Sequence, residues 1–485
     1  MKGVNDPTIF VIFGITGDLS RGKLVPALFD LYLKNRMPAK FHIIGFSRRD
    51  FSESEFREYV AEVLEYRIGD VDKNTIADFA HHFSYTKGLF EDEAAYKDLA
   101  VRLKETDDLF RACSNKLFYL AVPPSYYESI LNNLSHSGLT IPCGGDDGWT
   151  RVLVEKPFGS NVETARKLDM LLGKLFKETQ VFRIDHYLAK ETLQNILAFR
   201  FSNSIFEPLW NRDYIEKVEI NLLEHDTIES RANFYDETGA LKDVGQNHLL
   251  QMLALIAMEK PDMLFPDTIR QARADVLTNL KRMTRDEAER DTVRGQYEGY
   301  QEALHVPGSE TETFFSVTAR INSKRWKDVP FVLTSGKGLS EDRVEIKIHF
   351  KDTSPGSFMP KQYLTQEANQ LIFSIKPEEK ISILFWIKVP GFENKIEPKK
   401  LTFAYTEGGE MVVVPNAYER VLHDCIAGDQ TLFASTAEIE GQWNFIESVL
   451  EAWQTLPIHV YKRGSDAGQI ERIGKVATGQ PYAQY

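Results

Sequence analysis

The stretch Thr8-Ile9-Phe10-Val11-Ile12-Phe13-Gly14-Ile15-Thr16-Gly17-Asp18-Leu19 decides how this chain is to be read. Thr8–Phe13 is a short apolar run, the kind that fills a buried parallel strand. Beyond the turn residues, Leu24, Ala27, Leu28, Leu31 and Tyr32 recur at i, i+3, i+4, i+7 and i+8, the stripe of an amphipathic helix. Gly14 and Gly17, with Thr16, Asp18 and Leu19 around them, let a phosphate approach the backbone, and the helix N-terminus offers unpaired N–H groups. The turn is not a complete GxGxxG, so an ordinary strand–helix connection stays open. Its place as the first βα turn of an alternating chain favours the phosphate reading, and Lys23, one turn into the helix, reaches the same charge.

Outward from that turn, strand and helix patterns alternate. Phe41–Phe46, Leu117–Val122, Val152–Val154 and Val181–Ile184 read as short buried strands, and Asp50–Arg67 as a charged amphipathic helix. This is an α/β, Rossmann-like dinucleotide-binding domain over residues 1–184. After residue 184 the period becomes two: Val218, Ile220 and Leu222 alternate with polar residues, as do Val344, Ile346, Ile348 and Phe350. Thr313–Ile321, Gln370–Ile375, Ile381–Val389 and Leu401–Tyr405 are also strand-like. Helical patterns accompany them at Asn247–Met258, Thr268–Thr284 and Glu438–Gln454. Residues 185–485 therefore read as a larger α+β domain with a mostly antiparallel sheet. The polar, Gly-rich tail Lys462–Tyr485 is expected to pack loosely.

The length of 485 residues suits two large domains. With 58 basic against 71 acidic residues the net charge is −13, which argues against nucleic acid or an anionic membrane as partner. Cys113, Cys143 and Cys425 are far apart and lack metal-ligand spacing, so they read as reduced thiols of a cytoplasmic protein. The first residues carry no hydrophobic signal region, and the apolar run Leu249–Met258 is too short to span a bilayer. No metal site is expected.

The end of the second strand chooses the cofactor. Gly45-Phe46-Ser47-Arg48-Arg49 places arginine where an NAD site usually has a carboxylate for the ribose 2′-hydroxyl. A guanidinium suits a 2′-phosphate, so NADP is preferred; Asp50 nearby keeps NAD open, and two solvated arginines remain the plain alternative. Three further clusters carry titratable groups. Arg183-Ile184-Asp185-His186-Tyr187-Leu188-Ala189-Lys190-Glu191 starts at a strand end, and a helix beginning there would put His186 and Lys190 on one face. Asp243-Val244-Gly245-Gln246-Asn247-His248 precedes an apolar helix, which sets His248 near a helix N-terminus. Glu155-Lys156-Pro157-Phe158-Gly159 follows a strand directly.

With these peptides together, the sequence resembles the glucose-6-phosphate dehydrogenases. The likeness runs from about residue 8 to about residue 455. It continues through Phe206–Arg212, Arg294–Tyr297, Thr311–Phe314, Val329–Phe331 and Ala417–Arg420, and Arg183–Glu191 is close to diagnostic. The resemblance implies that His248 is the general base for the sugar 1-hydroxyl and that Asp185 pairs with it. It implies that His186, Tyr187 and Lys190 hold the 6-phosphate, and that Lys156 lies between substrate and cofactor. Glu224 and Asp243 accept hydrogen bonds from sugar hydroxyls, and Lys337 is a further sugar contact. It also implies that residues 185–485 serve substrate binding and oligomerisation, with a homodimer or homotetramer built through the large sheet.

Some positions depart from the family. Thr227 and Ser230 stand where glycines are common after Glu224, which narrows the backbone conformations open there. Gly245 replaces a larger apolar residue and is expected to loosen its turn. Five residues beyond Lys337 the family usually has a second basic residue, whereas this chain has Asp342 followed by Arg343. A related hexose dehydrogenase with altered specificity, or a catalytically silent NADP-binding regulator, are the rival functions.

Overall fold

The computed structural model describes residues 6–67, 71–142, 148–228, 232–351, 369–392, 396–404 and 414–477; Cys143 and Ser230 lie outside them. The apolar run at the start forms β1 (Thr8–Phe13), buried at every position. Around it stand β2 (Phe41–Ser47), β3 (Phe83–Lys87), β4 (Asn115–Leu120), β5 (Thr150–Val154) and β6 (Val181–Ile184). Their order is β6-β5-β4-β1-β2-β3, all parallel, and a short strand Phe433–Ala434 closes the sheet antiparallel to β6. Strand order reverses between β1 and β4, so a crevice opens beyond their C-terminal ends, where dinucleotides bind in such sheets. β3 has no counterpart in the sequence reading. Its Ser84 and Thr86 are buried along with its aromatics, so it shows no apolar run.

The chain forms two compact units. The first takes Met1–Ala189 together with Phe265–Arg270 and Pro415–Thr436; the second takes the remainder. The two later segments join the first through buried charge. Arg183 of β6, 4 % exposed, donates from Nη1 to Glu178 Oε1 at 2.9 Å and from Nη2 to Asp169 Oδ1 at 2.6 Å. Arg270 donates to the same Glu178 Oε1 at 2.6 Å and to Gln430 Oε1 at 3.0 Å. Gln430 in turn donates to the carbonyl of Val181 at 2.9 Å.

The second unit holds a sheet of β7 (Ile215–Leu223), β8 (Thr292–Tyr297), β9 (Phe314–Ala319), β10 (Phe331–Gly336), β11 (Arg343–Phe350), β12 (Gln370–Lys376), β13 (Lys380–Lys388) and β14 (Ile396–Ala404). The order is β14-β13-β12-β11-β7-β10-β9-β8, with the short strand His459–Tyr461 outside β8. Pairing is antiparallel except between β7 and β10 and between β8 and His459–Tyr461. One face is apolar: Val344, Ile346, Ile348, Leu371 and Phe373 are all buried. The helix Leu250–Ala257 is buried on every side, and the wider π-helical stretch before it, Leu241–Leu249, packs on β7 and β10.

Four expectations are corrected. His248 is not near a helix N-terminus: the polar run before it is itself helical, so His248 sits mid-helix. The tail is not loose as far as Ala477, because Ala467–Ala477 is a helix whose Ala467 and Ile470 join the core around Val293 and Tyr461. The helix expected over Thr268–Thr284 stops at Thr278, and Thr284 caps a separate helix, Arg285–Asp291. Cys425 is a buried free thiol, but Cys113 is disulfide-bonded. Pairing depends on spatial approach that sequence separation does not reveal, so the redox argument from cysteine spacing falls.

Arg183 is buried, but its partners Glu178 and Asp169 keep 43% and 32% of their side-chain exposure, so its loss removes charge-assisted hydrogen bonds worth about 1.5–3 kcal/mol without stranding a buried carboxylate. Arg183→Met should therefore lower the thermal midpoint and raise hydrogen exchange in 429–436, while β7–β12 keep their protection. Unchanged exchange in 429–436 would show that Arg183 does not hold that segment.

Candidate functional site

In the first unit the turn after β1 is shaped by one constraint. Gly14 has φ +79°, and a Cβ there would meet the Ala121 carbonyl oxygen at 2.4 Å and Val122 Cγ1 at 2.9 Å. Only glycine fits, so backbone lines the crevice. Gly17 N–H donates to the Gly14 carbonyl at 2.9 Å, and the helix carrying Lys23 begins at Asp18. The same turn is tied to β2. Gly14 N–H donates to Phe46 O at 2.9 Å, and Thr16 Oγ1 donates to Ser47 Oγ at 3.3 Å. Arg48 therefore leaves β2 beside the turn, exposed, with Arg49. Tyr85 Oη lies 2.6 Å from the Arg49 carbonyl, which fixes the path of that segment. Asp50 is ion-paired with Lys87 at 3.0 Å. The Tyr59 hydroxyl, raised by burial, feels Arg21, Arg49 and Asp18, which puts Arg21 in this group. Arg21 escaped the sequence reading, although its place three residues after Asp18 was a usable signal.

Lys156 follows β5, and its bond to Pro157 is cis. Its neighbour Glu155 is buried. Glu155 Oε1 accepts from the Tyr119 hydroxyl at 2.6 Å, and its carbonyl accepts from the Tyr127 hydroxyl at 2.9 Å. Burial raises the Glu155 carboxyl to about 7; the Tyr119 bond and Lys156 oppose the rise, and Asp185 adds to it. Asp185, at the end of β6, is 3 % exposed, and its Oδ1 accepts from Tyr187 N–H at 3.0 Å. His186 and Tyr187 lie in the turn that follows, with ring centroids 5.0 Å apart. Tyr418 stacks on His186 at 6.2 Å and 13°. The next helix begins only at Glu191, so His186 and Lys190 flank a turn and do not share a helical face.

In the second unit, Lys190 is the residue just before the helix Glu191–Ser202. Glu224 follows β7, and Lys337 donates from Nζ to Glu224 Oε2 at 2.6 Å. The Lys337 ammonium also lies over the Tyr235 ring, 5.9 Å from its centroid. The buried Tyr235 hydroxyl is pushed up by burial and then by Asp243, which places Asp243 beside it. Glu224, Lys337, Tyr235 and Asp243 are thus gathered together. His248 lies 1 % exposed in the π-helical stretch, its N–H donating to Asn247 Oδ1 at 2.6 Å.

Comparison with known proteins extends these observations over both units. Residues 11–195 match the family model described as glucose-6-phosphate dehydrogenase, NAD binding domain, and residues 197–473 match its C-terminal domain. The chain belongs to the glucose-6-phosphate dehydrogenase family. It is 38% identical over 467 residues to the glucose-6-phosphate 1-dehydrogenase of Borreliella burgdorferi, covering 94% of each chain. It is 40% identical over 453 residues to that of Aggregatibacter actinomycetemcomitans, covering 91% and 90%. A relative from Arabidopsis thaliana, glucose-6-phosphate 1-dehydrogenase 6, cytoplasmic, is 37% identical over 445 residues, covering 91% and 85%. Among solved structures, glucose-6-phosphate dehydrogenase in complex with its substrate glucose-6-phosphate matches with TM-score 0.89 at 31% identity, over 100% of both chains.

The departures from family pattern now have local explanations. At Gly245 a Cβ would lie 2.9 Å from both Leu241 Cδ1 and Phe315 Cζ, so these side chains fill the space and the turn is not loosened. Thr227 packs its methyl near Gly338, which has φ +63° and donates to the Asp226 carbonyl at 3.0 Å. Asp342 accepts from His225 N–H at 3.0 Å and pairs with Lys376 at 3.3 Å. Arg343 is held by Glu341 at 2.9 Å and by Glu345 at 2.6 Å.

The Glu155 carboxyl, raised in the folded state, favours folding only below its unfolded pKa. Its contribution is lost as pH climbs from the ordinary carboxylate range to about 7. Glu155→Gln removes that loss. The variant's stability advantage over wild type should grow by about 3 kcal/mol between pH 4.5 and 7 and then level off. Urea unfolding at several pH values measures this, and an advantage independent of pH would refute it.

Proposed function

We propose that the chain oxidises glucose 6-phosphate at C1 to 6-phospho-D-glucono-1,5-lactone, with NADP as hydride acceptor. The observation that carries this reading is the family match over both units, with the Asp185–Lys190 peptide and the Glu224, Lys337, Asp243 and His248 positions all retained.

The first unit's residues fit a dinucleotide. A Cβ would fill the cradle at Gly14, while Thr16, Gly17, Asp18 and Leu19 form the approach to a helix N-terminus. Lys23 and Arg48 supply positive charge, and Arg48 is the group for a 2′-phosphate. The ion pair of Asp50 with Lys87 supports NADP over NAD, since that carboxylate is already engaged. When bound, the nicotinamide supplies the hydride acceptor.

His248 takes the proton from the sugar 1-hydroxyl. Imidazole titrates near neutrality, which suits a base at physiological pH. Asp185 is the carboxylate that orients His248 and stabilises its protonated form, a role its bond to Tyr187 N–H supports by fixing its rotamer. His186, Tyr187 and Lys190 take the 6-phosphate, with Tyr418 restraining the His186 ring. Lys156 serves both substrate and cofactor. Glu224 and Asp243 accept from sugar hydroxyls, and Lys337 donates to them while neutralising Glu224. The assembly reading is a homodimer or homotetramer through the large sheet, supported by Leu401 and Phe403, 63 % and 55 % exposed on β14. A cytoplasmic setting follows the relative from Arabidopsis thaliana.

Two measurements test this. His248→Asn should lower kcat on glucose 6-phosphate by about 10²-fold or more, and near-wild-type turnover would remove the base assignment. Arg48→Ala should raise the KM for NADP at least tenfold more than that for NAD; equal changes would remove the 2′-phosphate role. In the same nicotinamide absorbance assay, free glucose turned over as well as glucose 6-phosphate would favour an altered sugar specificity.

A further inference from the structure

Four charged residues leave the same end of four neighbouring strands in the second unit. Gly336 of β10 is level with Leu223 of β7, Leu223 with Arg343 of β11, and Val344 of β11 with Lys376 of β12. Lys337, Glu224, Asp342 and Lys376 stand on or one residue beyond these positions. They pair as Lys337 with Glu224 at 2.6 Å and Lys376 with Asp342 at 3.3 Å, and the His225 N–H links the pairs by donating to Asp342 at 3.0 Å. The family's usual second base beyond Lys337 is replaced by an acid here. Arg343 does not restore it, because Glu341 and Glu345 hold its guanidinium. The positive charge facing Asp342 comes instead from β12.

Lys376 is also fastened to the segment that carries Lys190. Thr192 Oγ1 lies 3.3 Å from the Ser374 carbonyl and 2.8 Å from Glu379 Oε2, and Thr192 N–H donates to that oxygen at 2.7 Å. Lys190 and Lys376 are thus each two residues from one end of the Thr192–Ser374 contact. The Lys376 side chain is 52 % exposed. An ammonium has three donors, and Asp342 takes one, which leaves two for an incoming anion.

We propose that Lys376 is a second cation for the substrate's phosphate group, set beside Lys190 and tethered by Asp342. It supplies from β12 the charge that the family places at position 342. The proposal rests on the reading of the chain as a glucose-6-phosphate dehydrogenase. Since the phosphate does not change during oxidation at C1, Lys376 contributes equally to ground-state and transition-state binding. Its loss therefore acts on KM and leaves kcat alone.

The test uses the full chain with Lys376→Gln, Lys376→Arg and Lys190→Ala. Lys376→Gln should raise the KM for glucose 6-phosphate about tenfold or more, as expected for a lost charge-assisted hydrogen bond. It should keep kcat, and kcat/KM on free glucose, within about twofold, and weaken competitive inhibition by inorganic phosphate to a similar degree. Lys376→Arg should restore most of the KM. If Lys376→Gln leaves that KM unchanged while Lys190→Ala raises it, Lys376 has no phosphate role and the functional reading stands. Equal losses on glucose and glucose 6-phosphate would mark Lys376 as structural and overturn the proposal. A wild-type enzyme without turnover of glucose 6-phosphate would overturn both.

Discussion

A single carboxylate, Glu178, accepts from two buried guanidiniums, Arg183 and Arg270, and the first unit is organised around that arrangement. Both arginines are almost wholly buried, so neither charge is tolerable without its partners. Arg183 lies one residue before the end of β6, and its anchoring fixes where β6 stops and hence where Asp185 emerges. Arg270 and Gln430 arrive from remote parts of the chain and complete the cage. The sheet beneath supplies the crevice, but this cage sets the height at which the residues from Asp185 to Lys190 leave it.

Each unit then restrains its own polar groups by local pairing. Glu155 is clamped by Tyr119 and, through its backbone, by Tyr127. Asp185 caps its own turn, and His186 is backed by Tyr418. In the second unit Lys337 is neutralised by Glu224 and stands over the Tyr235 ring. A ligand meets side chains whose rotamers are already chosen, which reduces the entropy lost on binding.

The local patterns were the legible part. β1, its glycine turn and the helix stripe behind it could be read residue by residue, because a buried parallel strand and an amphipathic helix leave strong periodic marks. β3 was hidden because its buried Ser84 and Thr86 look polar in sequence. The helical stretch ahead of Asn247 is hidden in the sequence because Asp243 and Gln246 resemble a loop, whereas their polar groups are accommodated inside a helix wound more widely than α. The setting of Glu155 depends on Tyr119 and Tyr127, and that of Lys376 on Asp342 and Thr192. These partners are 28 to 36 residues away for Glu155; Asp342 is 34 residues from Lys376, and Thr192 bonds 182 residues away to Ser374, all beyond any local period. Family likeness named the chemistry-bearing positions, but it had no term for a charge that has moved from one strand to the next.

The parallel pairing of β7 with β10 in an otherwise antiparallel neighbourhood has a consequence for how the chain is made. Both hydrogen-bonding neighbours of β7, β10 and β11, lie downstream, at Phe331–Gly336 and Arg343–Phe350. On the ribosome β7 therefore has two open edges from the moment Leu223 appears until β10 is made, and one until Phe350 appears, an interval that at ordinary elongation rates is on the order of 6–25 s in all. Through that interval the apolar face of Val218, Ile220 and Leu222 must be sheltered by the helices between, or by a chaperone. The central strand of the large sheet thus waits for both of its partners, and the interval before β10 and β11 emerge is when its own edges are most exposed to aggregation.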